Sequence, residues 1–106
     1  EALIDGYRRL IAAAPQHGVR LFGGTLTPAS LPPQREVIRL AVNRWIRASG
    51  AFDGVVDFDA ALRDPARPRH LQHQYDSGDH IHPNDAGYAA MADAVPLEAV
   101  VRATRP

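Results

Sequence analysis

The chain has 106 residues, 45% of them apolar, which suffices for one globular domain at most. Twelve acidic residues balance twelve basic ones, and this zero net charge argues against a nucleic-acid partner, because phosphate binding needs an excess of basic side chains. Cysteine is absent, so disulfides and thiolate chemistry are excluded, and no apolar run is long enough for a membrane span.

The N-terminal third predicts a helix, a strand and a loop. Pro15 and Gly18 end the helix, residues 19–22 (VRLF) form a buried strand that stops at two glycines, and three prolines keep residues 25–33 irregular. The helix follows from one apolar stripe with a period of 3.6 residues, made of Leu3, Ile4, Tyr7, Leu10, Ile11 and Ala14.

The middle of the chain predicts a second helix over residues 34–49, with Gly50 at its C-cap, and a second strand over residues 54–58. Asp59 is expected to cap a short turn, and Asp57 to point to the opposite face of the strand. The helix has an apolar face of Ile38, Ala41, Val42 and Trp45 and a polar face of Arg35, Arg39, Asn43 and Arg47.

The C-terminal third predicts an irregular loop over residues 63–78, followed by a helix that opens near Asn84 and breaks at Pro96. Residues 97–101 are expected to add a final turn or two. The loop should be solvated at Arg63, Arg67, Arg69, His70 and His73, and the helix should turn Tyr88, Met91, Ala92 and Val95 inward.

Alternating helices and strands indicate an α/β protein with a parallel sheet. Two strands cannot form a stable parallel sheet, whose strands need neighbours and cover on both faces. We therefore expect the chain to be the C-terminal part of a larger domain.

Residues 76–88 read DSGDHIHPNDAGY and carry the strongest functional pattern. Asp79 and His82 stand three apart before a helix start, so the carboxylate can fold back and accept the Nδ1 proton of the imidazole. That contact would leave Nε2 of His82 as a base, and Pro83 would help to hold the loop.

This block, together with VRLFGGTLTP and VNRWIRASGAFDGVVDFDAAL, resembles the C-terminal half of SGNH, or GDSL-type, serine hydrolases. The resemblance implies a flavodoxin-like three-layer α/β/α sandwich, of which residues 1–106 would supply the last two strands and flanking helices. It also implies an esterase for acetyl or short acyl esters, with Asp79 and His82 as two members of a catalytic triad. No cofactor is implied, and secretion is common in the family.

The Gly-Asp-Ser nucleophile motif of that family is missing, and Ser30, Ser49 and Ser77 sit in the wrong contexts. We therefore expect no nucleophile in this chain, and a partner that is the N-terminal half of the same hydrolase. Gly24 and Thr25 are predicted to line one wall of the substrate pocket.

His80 and Ile81 are predicted to line the same pocket, with His80 at its mouth. Two alternatives stay open. One is a non-catalytic binding or assembly module of the same fold. The other is a metal site of His80 and His82 with further donors from His73, Asp76 and Asp85.

Overall fold

The computed structural model describes residues 2–104 and contains a parallel strand pair, a small hairpin and several helices. The helices are α1 (Ala2–Ala13), α2 (Pro33–Ala48), α3 (Phe58–Leu62), α4 (Asp85–Asp93) and α5 (Leu97–Thr104). The strands are β1 (Phe22–Gly24), β2 (Gly54–Val56), β3 (Arg63–Asp64) and β4 (Arg67–Leu71), and short 3₁₀ turns span Ala14–His17 and His73–Tyr75.

The predicted parallel pairing of the two main strands is confirmed, with Gly23 opposite Val55. The predicted bounds are wrong: β1 begins at Phe22 rather than at residue 19, and β2 stops at Val56. Strand β2 ends there because Asp57 turns the chain into α3. The result is a mixed α/β globule with a two-stranded parallel sheet, compatible with the predicted fold.

Helix α2 confirms the predicted helix but not its predicted faces. Gly50 follows it with φ of 69°, the left-handed conformation expected after a helix end. Arg39 and Asn43, expected on the solvated face, are 2% and 0% exposed, whereas Ile38 of the expected core face is 48% exposed. The helix is therefore turned so that a polar stripe faces the interior.

The buried polar stripe is stabilised by ion pairs and by the backbone of the loop after β1. Arg39 donates to both oxygens of Glu36 and to Oδ1 of Asp59, each at 2.6–2.7 Å. Asn43 pairs with the backbone of Leu26, accepting from its N–H at 2.7 Å and donating to its carbonyl at 2.9 Å. Because every polar atom has a partner, this helix face tolerates burial.

The predicted roles of Asp57 and Asp59 are both wrong. Asp57, not Asp59, caps α3 by accepting from the backbone N–H of Ala60 at 3.1 Å. Asp59 lies buried inside α3 and accepts from Arg39, Arg47 and Arg63. Arg47 also binds both oxygens of Asp57 at 2.8 Å, so the two carboxylates converge on one cation instead of facing apart.

These hydrogen bonds favour the ionised form of both Asp57 and Asp59. The Arg47 hydrogen bond, against some desolvation, lowers the pKa of Asp57 to about 2. Burial alone would raise the pKa of Asp59, but hydrogen bonds from Arg47, Arg39 and Arg63 outweigh it and lower that pKa.

The segment predicted as an irregular, solvated loop begins with the antiparallel hairpin β3–β4. Long-range contacts decide this conformation. The carbonyl of Pro68 accepts from the buried Arg39 at 3.1 Å, Arg69 donates to the carbonyl of Leu31, and the Arg63 guanidinium binds Asp59. The hairpin therefore lies against α2 and the loop after β1.

The C-terminal helices confirm the predicted start near Asn84, but α4 already ends at Asp93, before the predicted break at Pro96. Asn84 caps α4 by accepting from the N–H of Gly87 at 2.9 Å, and α5 begins directly after Pro96. The predicted inward position of Tyr88 is wrong, because its ring is 53% exposed. Helix α5 is also longer than the one or two turns expected.

The apolar core is small, and several apolar side chains remain at the surface. Tyr7, Trp45 and Phe52 form an aromatic cluster that joins α1 to α2, with ring centroids 5.7–6.2 Å apart. The core consists mainly of Val42, Ile46, Val56, Leu62 and Leu71, while Leu3, Leu10, Val19, Val37, Leu40 and Leu97 are exposed. No helix within residues 2–104 is long and apolar enough to cross a bilayer.

Candidate functional site

The motif loop, residues 76–83, is closed at its base by backbone hydrogen bonds. The N–H of Ser77 donates to the carbonyl of His82 at 3.1 Å, and an isolated bridge joins Asp76 to Pro83. Asn84 completes the closure, because its side-chain amide donates to the carbonyls of Gln74 and Asp76 while its oxygen caps α4. The loop is thereby tied to the start of a helix.

Within this loop, the predicted contact between Asp79 and His82 is present. Oδ2 of Asp79 lies 2.6 Å from Nδ1 of His82. Oδ1 of Asp79 accepts from the backbone N–H groups of Ile81 and His82, both at 2.8 Å, and from the Ser77 hydroxyl at 3.1 Å. The carboxylate is thus locked by its own loop.

These donors favour the ionised carboxylate. The hydrogen bond from His82 is the largest influence, followed by the two backbone N–H groups, and together they hold the pKa of Asp79 far below its ordinary value. A permanent negative charge beside Nδ1 selects the tautomer with its proton on that nitrogen, so Nε2 keeps its lone pair.

The imidazole of His82 is open to an incoming group. Its side chain is 68% exposed, and that of Asp79 is 46% exposed. An imidazole with a carboxylate at Nδ1 and a free Nε2 can take a proton from a hydroxyl and later return it. The described residues therefore present an exposed imidazole that is oriented by a carboxylate.

A second aspartate–histidine pair lies in the same loop and was missed by the sequence reasoning. Oδ2 of Asp76 is 2.7 Å from Nδ1 of His80, and Oδ1 accepts from the N–H groups of Gly78 and His80. The Gly78 bond first, and the His80 side chain next, lower the pKa of Asp76. The sequence signal for this pair was an aspartate followed four residues later by a histidine, close to the three-residue spacing of Asp79 and His82.

The metal alternative finds no support in the described residues. Within residues 2–104, no three His, Asp or Glu side chains are placed to share a metal ion. Each histidine of the loop instead faces its own aspartate through Nδ1.

The four predicted pocket residues lie in different surroundings. Gly24 lines an apolar cavity of about 170 Å³ with Tyr7, Leu10, Phe22 and Phe52 among others. Thr25 is buried, donating its hydroxyl to Asp57 and accepting from the N–H of Asp59. His80 borders a separate cleft, and Ile81 is exposed. Their role in a substrate pocket stays a prediction.

The three serines are all described, and their hydroxyls have other partners than His82. Ser77 donates to Asp79, Ser49 accepts from the N–H of Ala51 at 3.2 Å, and Ser30 lies 2.9 Å from Nδ1 of His70. The prediction that His70 is solvated is wrong, because its side chain is half-buried and lies against Ser30.

A carboxylate-oriented imidazole in a loop just before a helix is an arrangement that hydrolases use for general-base chemistry. The model of the GDSL-like Lipase/Acylhydrolase family matches residues 1–90, and the chain belongs to that family. The predicted family resemblance is confirmed, and membership indicates an acylhydrolase kind of protein. No curated protein matches the chain.

Proposed function

We propose that the chain contributes the base and its orienting carboxylate to a serine esterase that hydrolyses carboxylic esters. The observation that carries the proposal is the 2.6 Å contact between Oδ2 of Asp79 and Nδ1 of His82, combined with the exposure of the imidazole. Membership of an acylhydrolase family supports the same chemistry.

In the proposed reaction, Nε2 of His82 takes the proton of a serine hydroxyl as its oxygen attacks the ester carbonyl. The imidazolium then gives that proton to the departing alcohol, leaving an acyl-serine. Water attacks this acyl group with His82 again accepting a proton, and the carboxylic acid leaves as the serine is reprotonated. Asp79 stays ionised and stabilises each imidazolium.

The nucleophilic serine is proposed to come from an N-terminal half of the same hydrolase. Two observations support this partner. The hydroxyls of Ser30, Ser49 and Ser77 are engaged elsewhere. In addition, apolar side chains of α1 and the segment before β1, namely Leu3, Leu10 and Val19, are exposed beside a sheet of two strands. A parallel sheet needs further strands and cover, which the proposed N-terminal half would supply.

The test is labelling with a fluorophosphonate, which traps activated serines. The chain is purified from its native cells through a tag, so that any companion stays bound, and every polypeptide is weighed. An adduct on a serine outside residues 2–104 is expected. His82→Gln should abolish it, whereas His17→Gln, at an exposed histidine far along the chain, should leave it unchanged. A sample without any adduct would overturn the proposal and favour a non-catalytic binding module.

A further inference from the structure

The second aspartate–histidine pair, Asp76 and His80, takes no part in the reaction proposed above, although it lies in the same loop as Asp79 and His82. The two carboxylates differ in burial: the side chain of Asp76 is 12% exposed, whereas that of Asp79 is 46% exposed. The carbonyl of Asp76 also accepts from the side-chain amide of Asn84 at 3.3 Å. Asp76 is therefore anchored at the base of the loop, where little of it is open to a substrate.

The loop turns sharply on both sides of Asp79. Gly78 has φ of 109° and His80 has φ of 66°, so the residues before and after Asp79 both have positive φ. Such a backbone conformation suits glycine but is sparsely populated by residues that carry a Cβ. Among the residues that the structure describes, Ser30 is the only other non-glycine residue with positive φ. The direction of the Asp79 side chain therefore depends on two unusual turns.

Asp76 binds both of the residues that have positive φ. Its Oδ1 accepts from the backbone N–H of Gly78 at 2.8 Å and from that of His80 at 3.1 Å. Its Oδ2 lies 2.7 Å from Nδ1 of His80, so the imidazole donates to the oxygen that the backbone leaves free. A strained residue persists only where its surroundings hold it. The two hydrogen bonds to Asp76 supply that support for His80.

The turn at His80 brings His82 to the carboxylate of Asp79. Oδ1 of Asp79 accepts from the N–H groups of Ile81 and His82, both at 2.8 Å, and Oδ2 lies 2.6 Å from Nδ1 of His82. All three contacts require the chain to fold back within three residues. A relaxed, negative φ at His80 would carry the next two residues away from the carboxylate. The contact between Asp79 and His82 therefore depends on the conformation that Asp76 stabilises.

We propose that Asp76 and His80 are positioning residues, which hold the turn that brings Asp79 into contact with His82. The proposal rests on the proposed function, because the contact that they hold is the one between the base and its orienting carboxylate. The imidazole of His80 acts through its hydrogen bond to Asp76 and transfers no proton to or from the ester. A side chain that tolerates positive φ and donates to Asp76 should therefore replace it.

Two substitutions of His80 separate positioning from proton transfer. Asparagine tolerates positive φ, and its amide nitrogen has the same bond separation from Cβ as Nδ1 of histidine, whereas alanine has neither property. In the native complex, His80→Ala should lower kcat for ester hydrolysis by up to about 100-fold, and His80→Asn should recover most of that loss. The control His17→Ala removes another exposed imidazole and should retain the wild-type kcat. Equal losses in the two His80 variants, or wild-type kcat in His80→Ala, would overturn the positioning role.

An NMR measurement decides the positioning role independently of activity. In the native complex with isotope-labelled histidine, the imidazole nitrogen shifts of His82 report the fraction of the neutral ring that is protonated at Nδ1. This fraction should be high in wild type and in His80→Asn, and it should fall in Asp76→Ala and His80→Ala as Asp79 loses its contact. Because the His80 side chain is 68% exposed, its alanine variant leaves the core intact. An unchanged fraction in either alanine variant would overturn the proposal. If the wild-type complex hydrolyses no ester, the proposed function fails, and these shifts still decide whether Asp76 and His80 position the loop.

Discussion

Arg39 and Asp59 form a buried ion pair, with Nη1 and Oδ1 2.6 Å apart and both side chains only 2% exposed. The pair links α2 to α3 at the end of strand β2. Arg39 also donates to the carbonyls of Leu26 and Pro68, so the same guanidinium positions the loop after β1 and the hairpin. Both of these segments also border the cleft beside His80, and the shape of that cleft therefore depends on this one buried cation.

Removing the carboxylate should destabilise the protein strongly. In Asp59→Ala, Arg39 is left buried with one counter-ion fewer, and the expected loss is about 3–5 kcal/mol of unfolding free energy. Urea denaturation of the chain in complex with its proposed N-terminal half measures it. The matched control is Asp5→Ala, which breaks an exposed pair with Arg8 at 3.6 Å and should cost less than about 1 kcal/mol. Equal losses in the two variants would contradict the buried-network account.

Gly87 should not tolerate a side chain. A Cβ there would lie 2.7 Å from Cβ of Pro83 and 2.8 Å from the carbonyl oxygen of Tyr75, so the motif loop would have to move away from α4. Gly87→Ala should cost about 1–3 kcal/mol and lower the Tm of the native complex.

Gly6→Ala provides the opposite control. A Cβ on Gly6 meets nothing within 4 Å, and α1 should gain about 0.5–1 kcal/mol because alanine is the better helix former. The two Tm shifts are therefore expected to differ in sign. A Gly87→Ala variant at least as stable as wild type would show that the loop does not pack on α4 as described.

Stability should fall at acidic pH. The pKa of Asp57 is about 2 in the folded chain, and the pKa of Asp59 is also lowered. Ordinary aspartate titrates near pH 3.9, so at low pH the unfolded chain binds more protons than the folded one. The contribution of these carboxylates is complete above about pH 5 and is lost as the pH falls toward about 2.

Urea midpoints of the native complex at a series of pH values measure this dependence. Asp57→Asn keeps an oxygen to cap α3 but cannot ionise, so its stability should change less across the same range. A midpoint that is constant throughout the acidic range in wild-type protein would show that the Arg47 contacts do not hold in solution.

Neutralising Asp79 should impair catalysis without unfolding the loop. In Asp79→Asn, the amide oxygen can still accept from the backbone N–H of His82, but the negative charge that selects the His82 tautomer is gone. In the native complex, kcat for ester hydrolysis should fall about 10⁴-fold. The control Asp93→Asn removes an exposed carboxylate on α4 and should retain the wild-type kcat. Wild-type activity in Asp79→Asn would show that the Asp79 carboxylate is not needed for the reaction.

The chain by itself should be loosely folded or should aggregate. Leu3, Leu10, Val19 and Val37 are among the exposed apolar side chains, and a two-stranded sheet lacks cover. Binding of a dye specific for apolar surface should be high for the pure chain and should fall when the N-terminal half is present. A sharp, cooperative melt of the pure monomer would contradict the half-domain proposal.

The candidate site was predictable because its interactions are local. Asp79 and His82 are three residues apart, and Asn84 caps a helix through the N–H of Gly87, also three residues away. Loop spacing and capping chemistry restrict such contacts before any tertiary structure forms. The second pair, Asp76 and His80, was equally local and could have been found by the same rule.

The polar interior was not predictable from the sequence pattern. Arg39 and Asn43 have the residue types and spacing of a solvated helix face, and only their distant partners make burial favourable. Asp59 is twenty positions from Arg39, and Leu26 is seventeen from Asn43. The hairpin β3–β4 escaped prediction for the same reason, since it rests on α2 through Arg39.

The sequence by itself determined the order of the main helices and of the two parallel strands, the family and the Asp79–His82 contact, because periodicity, capping and short loop spacings act between near neighbours. Tertiary structure alone decided which helix faces are buried, which aspartate is a cap, and that Ser30 and His80 border one cleft. Those outcomes depend on long-range pairing, in which a charged or strained residue is stabilised only by groups that the fold brings to it.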